Sequence, residues 1–226
     1  MYQHFADLYD EIFPFDGGLE IDLKPFIKPH GQAIDLGCGT GRLVHLVNHM
    51  GMKMRGVDLD QQMVDVAKKN FPNDEFMQGD MVTSMKLNSY DLITCFGNTL
   101  PHLKPVELSM FFNHIFDKLS PDGYFIVTML NYDQILESKP SQLPVIKREN
   151  ITFERYYTYQ EDHIIFKTVL SHNHQQTEDE TILFPYTKTR LEKITSEAKL
   201  KVTFYKNIKL DSYDIHHSHI CMIITK

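Results

Sequence analysis

The 226-residue sequence has few cysteines, no excess of basic residues and no long hydrophobic run. Cys38, Cys95 and Cys221 are odd in number and far apart, which excludes a disulfide framework and favours a reducing, cytoplasmic environment. Lys and Arg number 23 against 30 for Asp and Glu, so we expect no nucleic-acid partner. No stretch approaches the ~20 apolar residues that span a bilayer, and no basic leader precedes an apolar run. We therefore expect neither export nor membrane insertion.

The composition is that of a folded globular chain. Hydrophobic residues make up 42% and charged residues 23%, which excludes disorder as the overall state. The length suits one α/β domain with an insertion, and we find no internal repeat and no linker that would separate independent domains. The sequence does not decide between a monomer and a homodimer.

Residues 31–130 alternate short apolar runs with amphipathic ones, a pattern typical of parallel strands joined by helices. The predicted strands of this region cover 32–36, 53–58, 75–78, 91–96 and 124–130. The predicted helices cover 43–50, 61–70 and 105–119, and a turn at 120–123 ends the last of them. A further helix over 188–200 and strands over 202–207 and 220–225 complete the chain. We predict a doubly wound α/β sheet that ends in an antiparallel hairpin.

Residues 131–187 follow a different pattern. Two runs rich in Tyr, Phe, Thr and Ile, 151–160 and 163–170, predict an antiparallel hairpin. A polar connection over 171–180 then leads to a third β-like run over 181–186. We predict a small β-rich insertion that serves as a lid, and one or two helices in the first thirty residues that cover the ligand edge of the sheet.

A glycine-rich turn follows the first predicted strand. The segment Asp35–Gly41 contains G-x-G-x-G between that strand and the next helix, where missing side chains allow tight turns and close approach of a ligand. Asp58 ends the second strand and is positioned to accept the hydroxyls of a ribose. Asp80 follows the third strand at the same edge. This combination indicates a nucleoside-binding site.

These segments, together with residues 90–98, resemble the class I S-adenosylmethionine-dependent methyltransferases. Residues 97–103, 119–124 and 131–133 are more narrowly similar to the small-molecule branch that includes glycine and sarcosine N-methyltransferases. The resemblance implies a seven-stranded Rossmann-like sheet with a reversed final hairpin. It also implies S-adenosyl-L-methionine as cofactor and S-adenosyl-L-homocysteine as product. From the strand pattern we predict a cofactor-binding core over 1–130 and 188–226 and an acceptor-binding lid over 131–187.

The resemblance implies cofactor-binding roles for residues that lie in or near the strand ends. The methionine portion is expected beside Asp35, Gly37, Cys38, Gly39 and Gly41. The ribose and adenine are expected beside Asp58, Leu59, Met63, Asp80 and Met81. Tyr9 is expected to close over the cofactor, and Cys95, Phe96 and Asn98 to lie near its sulfonium end and the acceptor path.

The reaction implied is methyl transfer to a small molecule by in-line displacement, helped by positioning and by exclusion of water. A neutral amine needs no strong base, which favours it over a hydroxyl, whereas a hydroxyl needs a general base, most often histidine. His102 is the residue we predict for that role. Tyr156, Tyr157 and Tyr159 form either an aromatic wall around an amine or ordinary strand packing.

Two other functions remain open at this stage. The fold could bind S-adenosylmethionine or a partner without catalysis, because methyl transfer needs few chemical groups. A nicotinamide-dependent oxidoreductase is less favoured, since the motif is G-x-G-x-G rather than G-x-G-x-x-G. The histidines of 172–174 and 216–219 lack a matching ligand set, so we expect no metal.

Overall fold

The computed structural model describes residues 5–15, 17–87 and 89–226. Residues 1–4, 16 and 88, which belong to the predicted core, lie outside the described residues. The helices are α1 (Phe5–Ile12), α2 (Leu19–Leu23), α3 (Arg42–His49), α4 (Gln61–Asn70), α5 (Pro105–Lys118), α6 (Tyr132–Ser138) and α7 (Lys188–Glu197). In the described ranges, no helix has the length and apolar character needed to cross a bilayer.

Eleven strands form two sheets in the described part of the chain. The strands are β1 (Gln32–Leu36), β2 (Lys53–Asp58), β3 (Glu75–Gln78), β4 (Tyr90–Cys95), β5 (Leu119–Leu130), β6 (Ile146–Lys147), β7 (Ile151–Tyr159), β8 (Ile164–His172), β9 (Gln175–Leu183), β10 (Lys201–Tyr205) and β11 (His219–Thr225). Those of the larger sheet have the order β10-β11-β5-β4-β1-β2-β3, and those of the smaller sheet β6-β7-β8-β9.

The larger sheet has the predicted architecture. Strands β1 to β5 pair in parallel, whereas β11 is antiparallel to both β5 and β10. The strand order reverses between β1 and β4, which makes their carboxyl ends the topological switch point where open α/β sheets bind ligands. The predicted fold class is confirmed.

Helices cover both faces of this sheet because apolar side chains recur along one side of each helix. On one face α5 buries Phe111 and Phe112 against Phe125 of β5, with ring centroids 5.7–6.2 Å apart. On the other face α3 and α4 bury Val44 and Ala67. Burial of each large apolar side chain stabilises the fold by about 1.5–3 kcal/mol, and this packing holds the strand ends in place.

The smaller sheet is more extensive than the sequence predicted. Strand β9 begins at Gln175 instead of residue 181, because β8 and β9 are joined by a tight turn in which Asn173 and His174 have φ of 49° and 64°. The predicted polar connection over 171–180 is therefore wrong. β9 lies at the sheet edge, where most of its residues are exposed and polar side chains are tolerated.

Other element boundaries also differ from the predictions. Strand β5 begins at Leu119, not at residue 124, and the predicted turn at 120–123 is a bulge in its pairing with β4. Helix α6 and strand β6 were not predicted. α6 has a recognisable start, since the Asn131 side chain caps it by accepting the backbone N–H of Asp133.

Helix α1 connects the two sheets. The Phe5 and Phe13 rings pack on Phe153 of β7 with centroids 5.4 and 5.7 Å away. From the loop before β7, Arg148 donates to the backbone carbonyls of Glu11 and Ile12 at 3.1 and 3.4 Å. The smaller sheet is thereby attached to the carboxyl edge of the larger one, where α1 also contacts the glycine turn.

Candidate functional site

The glycine turn lies at the carboxyl end of β1, and its three glycines have different surroundings. Gly37, Gly39 and Gly41 have φ of 84°, 52° and 85°. A Cβ added at Gly37 would lie 2.5 Å from the Thr99 side chain, and one at Gly41 would lie 2.6 Å from the Phe76 ring. At Gly39 the nearest atom is Tyr9 Cε1, at 3.9 Å. Gly37 and Gly41 are thus required by packing, whereas Gly39 leaves space for a ligand.

Asp58, at the end of β2, is tied to this turn. Its Oδ2 accepts the backbone N–H of Gly39 at 2.8 Å, and its Oδ1 accepts that of Asp60 at 2.9 Å. Burial raises the pKa of Asp58, and these two backbone hydrogen bonds oppose the shift. Each carboxylate oxygen accepts more than one hydrogen bond, so both can still receive a hydroxyl. The adjacent Leu59 side chain is 68% exposed and offers an apolar surface.

Asp35 lies beneath the turn as a buried carboxyl group. Thr94 of the neighbouring strand β4 donates to its Oδ1 at 2.7 Å. Burial raises the pKa of Asp35 from 3.8 to about 7, although the Thr94 hydrogen bond acts in the opposite direction. Asp35 therefore supports the strand end from inside the core rather than facing solvent.

The two thiols predicted beside the cofactor are inert. The Cys38 sulfur packs against Gly56 of β2, and Cys95 is fully buried in the core. Burial raises the pKa of both thiols, so neither is a nucleophile. Only the backbone of these residues is available to a ligand, and the N–H of Cys38 is already donated to the Val57 carbonyl at 3.0 Å.

The third strand end carries the predicted adenine-binding residues. Asp80 is exposed, and its Oδ1 accepts the backbone N–H of Val82 and of Thr83 at 2.8 and 3.2 Å. These bonds shape the loop after β3. Met81 is half-buried beside Asp80, while Met63 is 8% exposed on the first turn of α4.

Tyr9 of α1 lies between the loops that follow β1 and β4. Its ring edge is the nearest group to Gly39, and its hydroxyl is 3.8 Å from the position of a Cβ added at Gly97. Burial, followed by the Asp58 carboxylate, raises the pKa of the Tyr9 hydroxyl, which is therefore neutral at physiological pH. The two glycines and the Tyr9 ring bound one space at the switch point.

Polar contacts fix α1 to the glycine turn. The Asp10 carboxylate accepts the Thr40 hydroxyl at 2.6 Å and pairs with Arg42 at 3.0 Å. Arg42 also donates to the Phe13 carbonyl at 2.6 Å. Arg42, at the start of α3, therefore holds α1 over the site.

Asn98 ends the loop after β4 in the left-handed region, with φ of 67°. Its amide donates to the Tyr132 hydroxyl at 3.1 Å, and its carbonyl oxygen accepts the Leu130 N–H at 3.2 Å. Half-buried Phe96 precedes it, and the Phe96 carbonyl accepts the Thr99 hydroxyl at 2.7 Å. Tyr132, on the unpredicted helix α6, is thus a further residue of the site.

His102 lies in a short 3-10 turn just beyond Asn98. The residue is exposed at the surface, yet neighbouring protein atoms partly desolvate the imidazole ring and lower the pKa of His102. The ring is therefore neutral near pH 7 and able to accept a proton. Within the described chain, the His102 side chain has no hydrogen-bond partner.

The inner face of β7 contributes residues that the sequence left ambiguous. Tyr157 is 4% exposed and close to Tyr132, whose pKa is raised first by burial and then by Tyr157. Tyr159 shares that face, while Tyr156 lies on the opposite face and donates to Glu154 at 2.8 Å. The predicted aromatic wall therefore excludes Tyr156.

Two polar atoms on this inner face are buried without a partner in the described chain, the Tyr157 hydroxyl and Nε of Arg155. An unsatisfied buried polar group typically costs about 1–3 kcal/mol. A ligand that bonded to both atoms would remove this cost.

The described residues form no metal-binding cluster that would rival this site. In residues 5–15, 17–87 and 89–226, no three His, Cys, Asp or Glu side chains are grouped so as to hold a metal ion. Shallow depressions on the outer face of the smaller sheet and between α5 and α7 contain none of the predicted site residues.

Comparison with known proteins finds a methyltransferase domain within the chain. A family model described as "Methyltransferase domain" matches residues 33–123. Over these residues the chain is similar to that family, and the structure shares the fold of solved S-adenosylmethionine-dependent methyltransferases. The resemblance predicted from the sequence is confirmed, and S-adenosylmethionine is the cofactor of this family.

The fold agrees with that of a solved methyltransferase. The S-adenosylmethionine-dependent methyltransferase of Clostridium acetobutylicum ATCC 824 superimposes with a TM-score of 0.84 at 16% identity, covering 99% of this chain and 98% of the other. At this identity the likeness shows the fold alone.

Two curated methyltransferases match over shorter regions. A trans-aconitate 2-methyltransferase of Rhizobium leguminosarum bv. trifolii is 31% identical over 43% of this chain and 38% of its own length. A dTDP-3-amino-3,6-dideoxy-alpha-D-glucopyranose N,N-dimethyltransferase of Streptomyces fradiae is 26% identical over 54% of this chain and 51% of its own length. The chain spans 38% to 65% of the length of the curated relatives it matches.

Proposed function

We propose that this chain transfers a methyl group from S-adenosylmethionine to an amine on a small molecule. The observation that carries the proposal is the Asp58 carboxylate bonded to the Gly39 N–H beside the space under Tyr9. A ribose acceptor group and an open glycine backbone adjoin at the switch point, as a nucleoside cofactor requires.

The residues of this space fit the cofactor. Asp58 has lone pairs left for the ribose hydroxyls, and exposed Leu59 offers an apolar surface for the adenine. The exposed carboxylate of Asp80 is available to an adenine amino group. Gly39 and Gly97 leave room for the methionine portion beneath the Tyr9 ring.

When bound, S-adenosylmethionine supplies an electrophilic methyl group for an acceptor lone pair. The contribution of the chain is to orient the acceptor and to exclude water, for which no strongly basic group is needed with a neutral amine. Helix α1 and the smaller sheet cover the carboxyl edge and serve this purpose. We therefore propose residues 131–187 as the acceptor-binding lid and residues 1–130 and 188–226 as the cofactor-binding core.

Two features support an amine over a hydroxyl. The Streptomyces fradiae relative is named as an N,N-dimethyltransferase of an amino sugar. In the described chain His102 has no side-chain hydrogen bond that would orient it as a base, unlike the paired histidines of many hydrolytic sites. The Asn98–Tyr132 pair is instead positioned to orient the acceptor.

The experiment is a methyl-transfer assay with isotope-labelled S-adenosylmethionine and matched small amines and alcohols. We expect labelled product with at least one amine and none with the corresponding alcohols. Asp58→Asn should abolish transfer, while Asp65→Asn, on the exposed side of α4, should not. Product with alcohols alone would overturn the amine assignment. Cofactor binding without product from any acceptor would favour a silent binding protein.

A further inference from the structure

We propose that the acceptor carries an oxyanion, a carboxylate or a phosphate, which Arg155 and Tyr157 bind on the inner face of the smaller sheet. The inference rests on the proposed function, since it concerns the acceptor of that same site. It assigns a binding role to two side chains that the sequence did not single out for it.

Strand alternation places both groups on the face that meets the larger sheet. Phe153, Arg155 and Tyr157 lie two residues apart along β7, so their side chains point the same way. Phe153 packs on α1, and Tyr157 belongs to the core cluster that contains Tyr132. Arg155 therefore lies between Phe153, which contacts α1, and Tyr157, which belongs to the same cluster as Tyr132 of α6.

The Arg155 side chain is held in place but its charge is not paired. One terminal nitrogen donates to the Pro144 carbonyl at 2.8 Å, and the guanidinium lies 5.9 Å from the Phe153 ring centroid. Nε is buried and has no partner, and within the described residues no carboxylate lies within 4.0 Å of the guanidinium. The guanidinium is only partly buried, so its charge reaches solvent, but the buried Nε–H has no acceptor, and a ligand oxyanion would supply one.

The Tyr157 hydroxyl offers a second donor beside this cation. Its oxygen is buried without a partner, and burial raises its pKa, with Arg155 opposing the shift. It is therefore a neutral O–H that can donate. A guanidinium N–H and a phenol O–H together suit a group with several oxygen lone pairs, and they disfavour a ligand that presents a cation to this end of the site.

The first measurement follows the Nε–H signal of Arg155 by ¹⁵N–¹H NMR in the full chain saturated with S-adenosylhomocysteine. Arg155→Lys assigns the signal. Sodium acetate and inorganic phosphate are titrated separately, so the arm that gives a saturable shift identifies the oxyanion. We expect saturation with either acetate or phosphate, and a dissociation constant at least about tenfold larger in Tyr157→Phe. Tyr156→Phe, on the outer face of the same strand, should match the wild type.

The second measurement is thermal unfolding of the same variants. Tyr157→Phe removes an unpartnered hydroxyl, so the melting temperature should stay unchanged or rise while oxyanion affinity falls. A purely structural tyrosine would lower it. In the same anion titrations, Arg155→Gln should lose oxyanion affinity. Arg190→Gln, on the exposed side of α7, is its matched control and should leave that affinity unchanged.

The inference is overturned if neither anion shifts the Arg155 signal, or if Arg155→Gln and Arg190→Gln change the affinity equally. The titrations are repeated without S-adenosylhomocysteine. Oxyanion binding by a chain that fails to bind S-adenosylhomocysteine or S-adenosylmethionine would retain the anion site and overturn the methyltransferase function. Cofactor binding without any change in the Arg155 signal would leave the methyltransferase function standing and overturn the anion site.

Discussion

Asp58 accepts the backbone N–H of Gly39 at 2.8 Å, and this bond joins two loops that are 19 residues apart in sequence. It fixes the carboxylate beside the one glycine of the turn that leaves open space at its Cα. The carboxylate that we propose for the ribose and the glycine backbone that we propose for the methionine portion are thus held together by a single hydrogen bond. Changes at either residue should alter cofactor binding.

Gly39 and Gly41 of the turn should respond differently to substitution. Gly39→Ala adds a methyl group into open space at φ of 52° and should cost only about 1–2 kcal/mol of stability. It should weaken S-adenosylmethionine binding at least about tenfold, equivalent to ~1.4 kcal/mol. Gly41→Ala, which meets the Phe76 ring, should instead lower the free energy of unfolding by about 3 kcal/mol or more. Calorimetric titration measures the affinity of each variant, and denaturant unfolding measures its stability. The prediction is contradicted if the two variants lose the same affinity and have the same stability.

The stability of the chain should depend on pH through Asp35. Its pKa is about 7 in the fold against an ordinary 3.8, so the folded chain keeps a proton that the unfolded chain releases over that window. This contribution to stability is fully present below pH 4. The free energy of unfolding then falls by a few kcal/mol as the pH rises to about 7. Asp35→Asn should flatten that part of the profile and be more stable than the wild type at pH 8. Urea unfolding from pH 4 to 8 tests this, and an unchanged slope would refute the assignment.

Helix α1 should lose its hold on the glycine turn when Asp10 is replaced. Asp10→Ala removes the bonds to Thr40 and Arg42, and hydrogen bonds to charged groups contribute about 1.5–3 kcal/mol each. We expect faster amide hydrogen exchange in α1 and about tenfold faster cofactor dissociation. Asp7→Ala, at an exposed position of the same helix, is the control. Identical exchange in the two variants would show that these contacts do not retain α1.

His102 should matter little for an amine acceptor. His102→Asn removes a neutral base that an amine does not need, so kcat should fall less than about tenfold at pH 7.5. Loss of a general base for a hydroxyl would reduce the rate by about 10²–10⁴. The comparison needs the acceptor identified in the methyl-transfer assay. A loss of the larger size would reassign the acceptor to the hydroxyl class.

Local patterns were sufficient for most of the larger sheet. Strands β1, β2 and β3 and helix α4 have the predicted bounds, because burial on a parallel sheet produces continuous apolar runs and clear helical spacing. β9 was missed over much of its length since an exposed edge strand carries polar residues on both faces. α6 was missed because its seven residues are too short for a helical period to stand out.

The strand-end residues of the site could be chosen from the sequence, but their partners could not. The G-x-G-x-G motif and Asp58 are local signals, whereas the contact between Gly37 and Thr99 depends on how β1 and β4 pair. Arg155 gave no signal, because an arginine in a β-strand is usually a surface residue. Only the buried, unpartnered Nε distinguishes it. The role of Arg42 likewise required the position of α1.

The most direct test of the account is calorimetric titration of the purified chain with S-adenosylmethionine and S-adenosylhomocysteine, repeated on Asp58→Ala and Asp58→Asn. Two hydrogen bonds donated by ribose hydroxyls to a charged carboxylate contribute about 3 kcal/mol or more, so both variants should bind at least about 100-fold more weakly. Circular dichroism confirms that each variant is folded, and Asp65→Ala should bind like the wild type. A folded wild-type chain that binds neither compound, or Asp58 variants of unchanged affinity, would contradict the account.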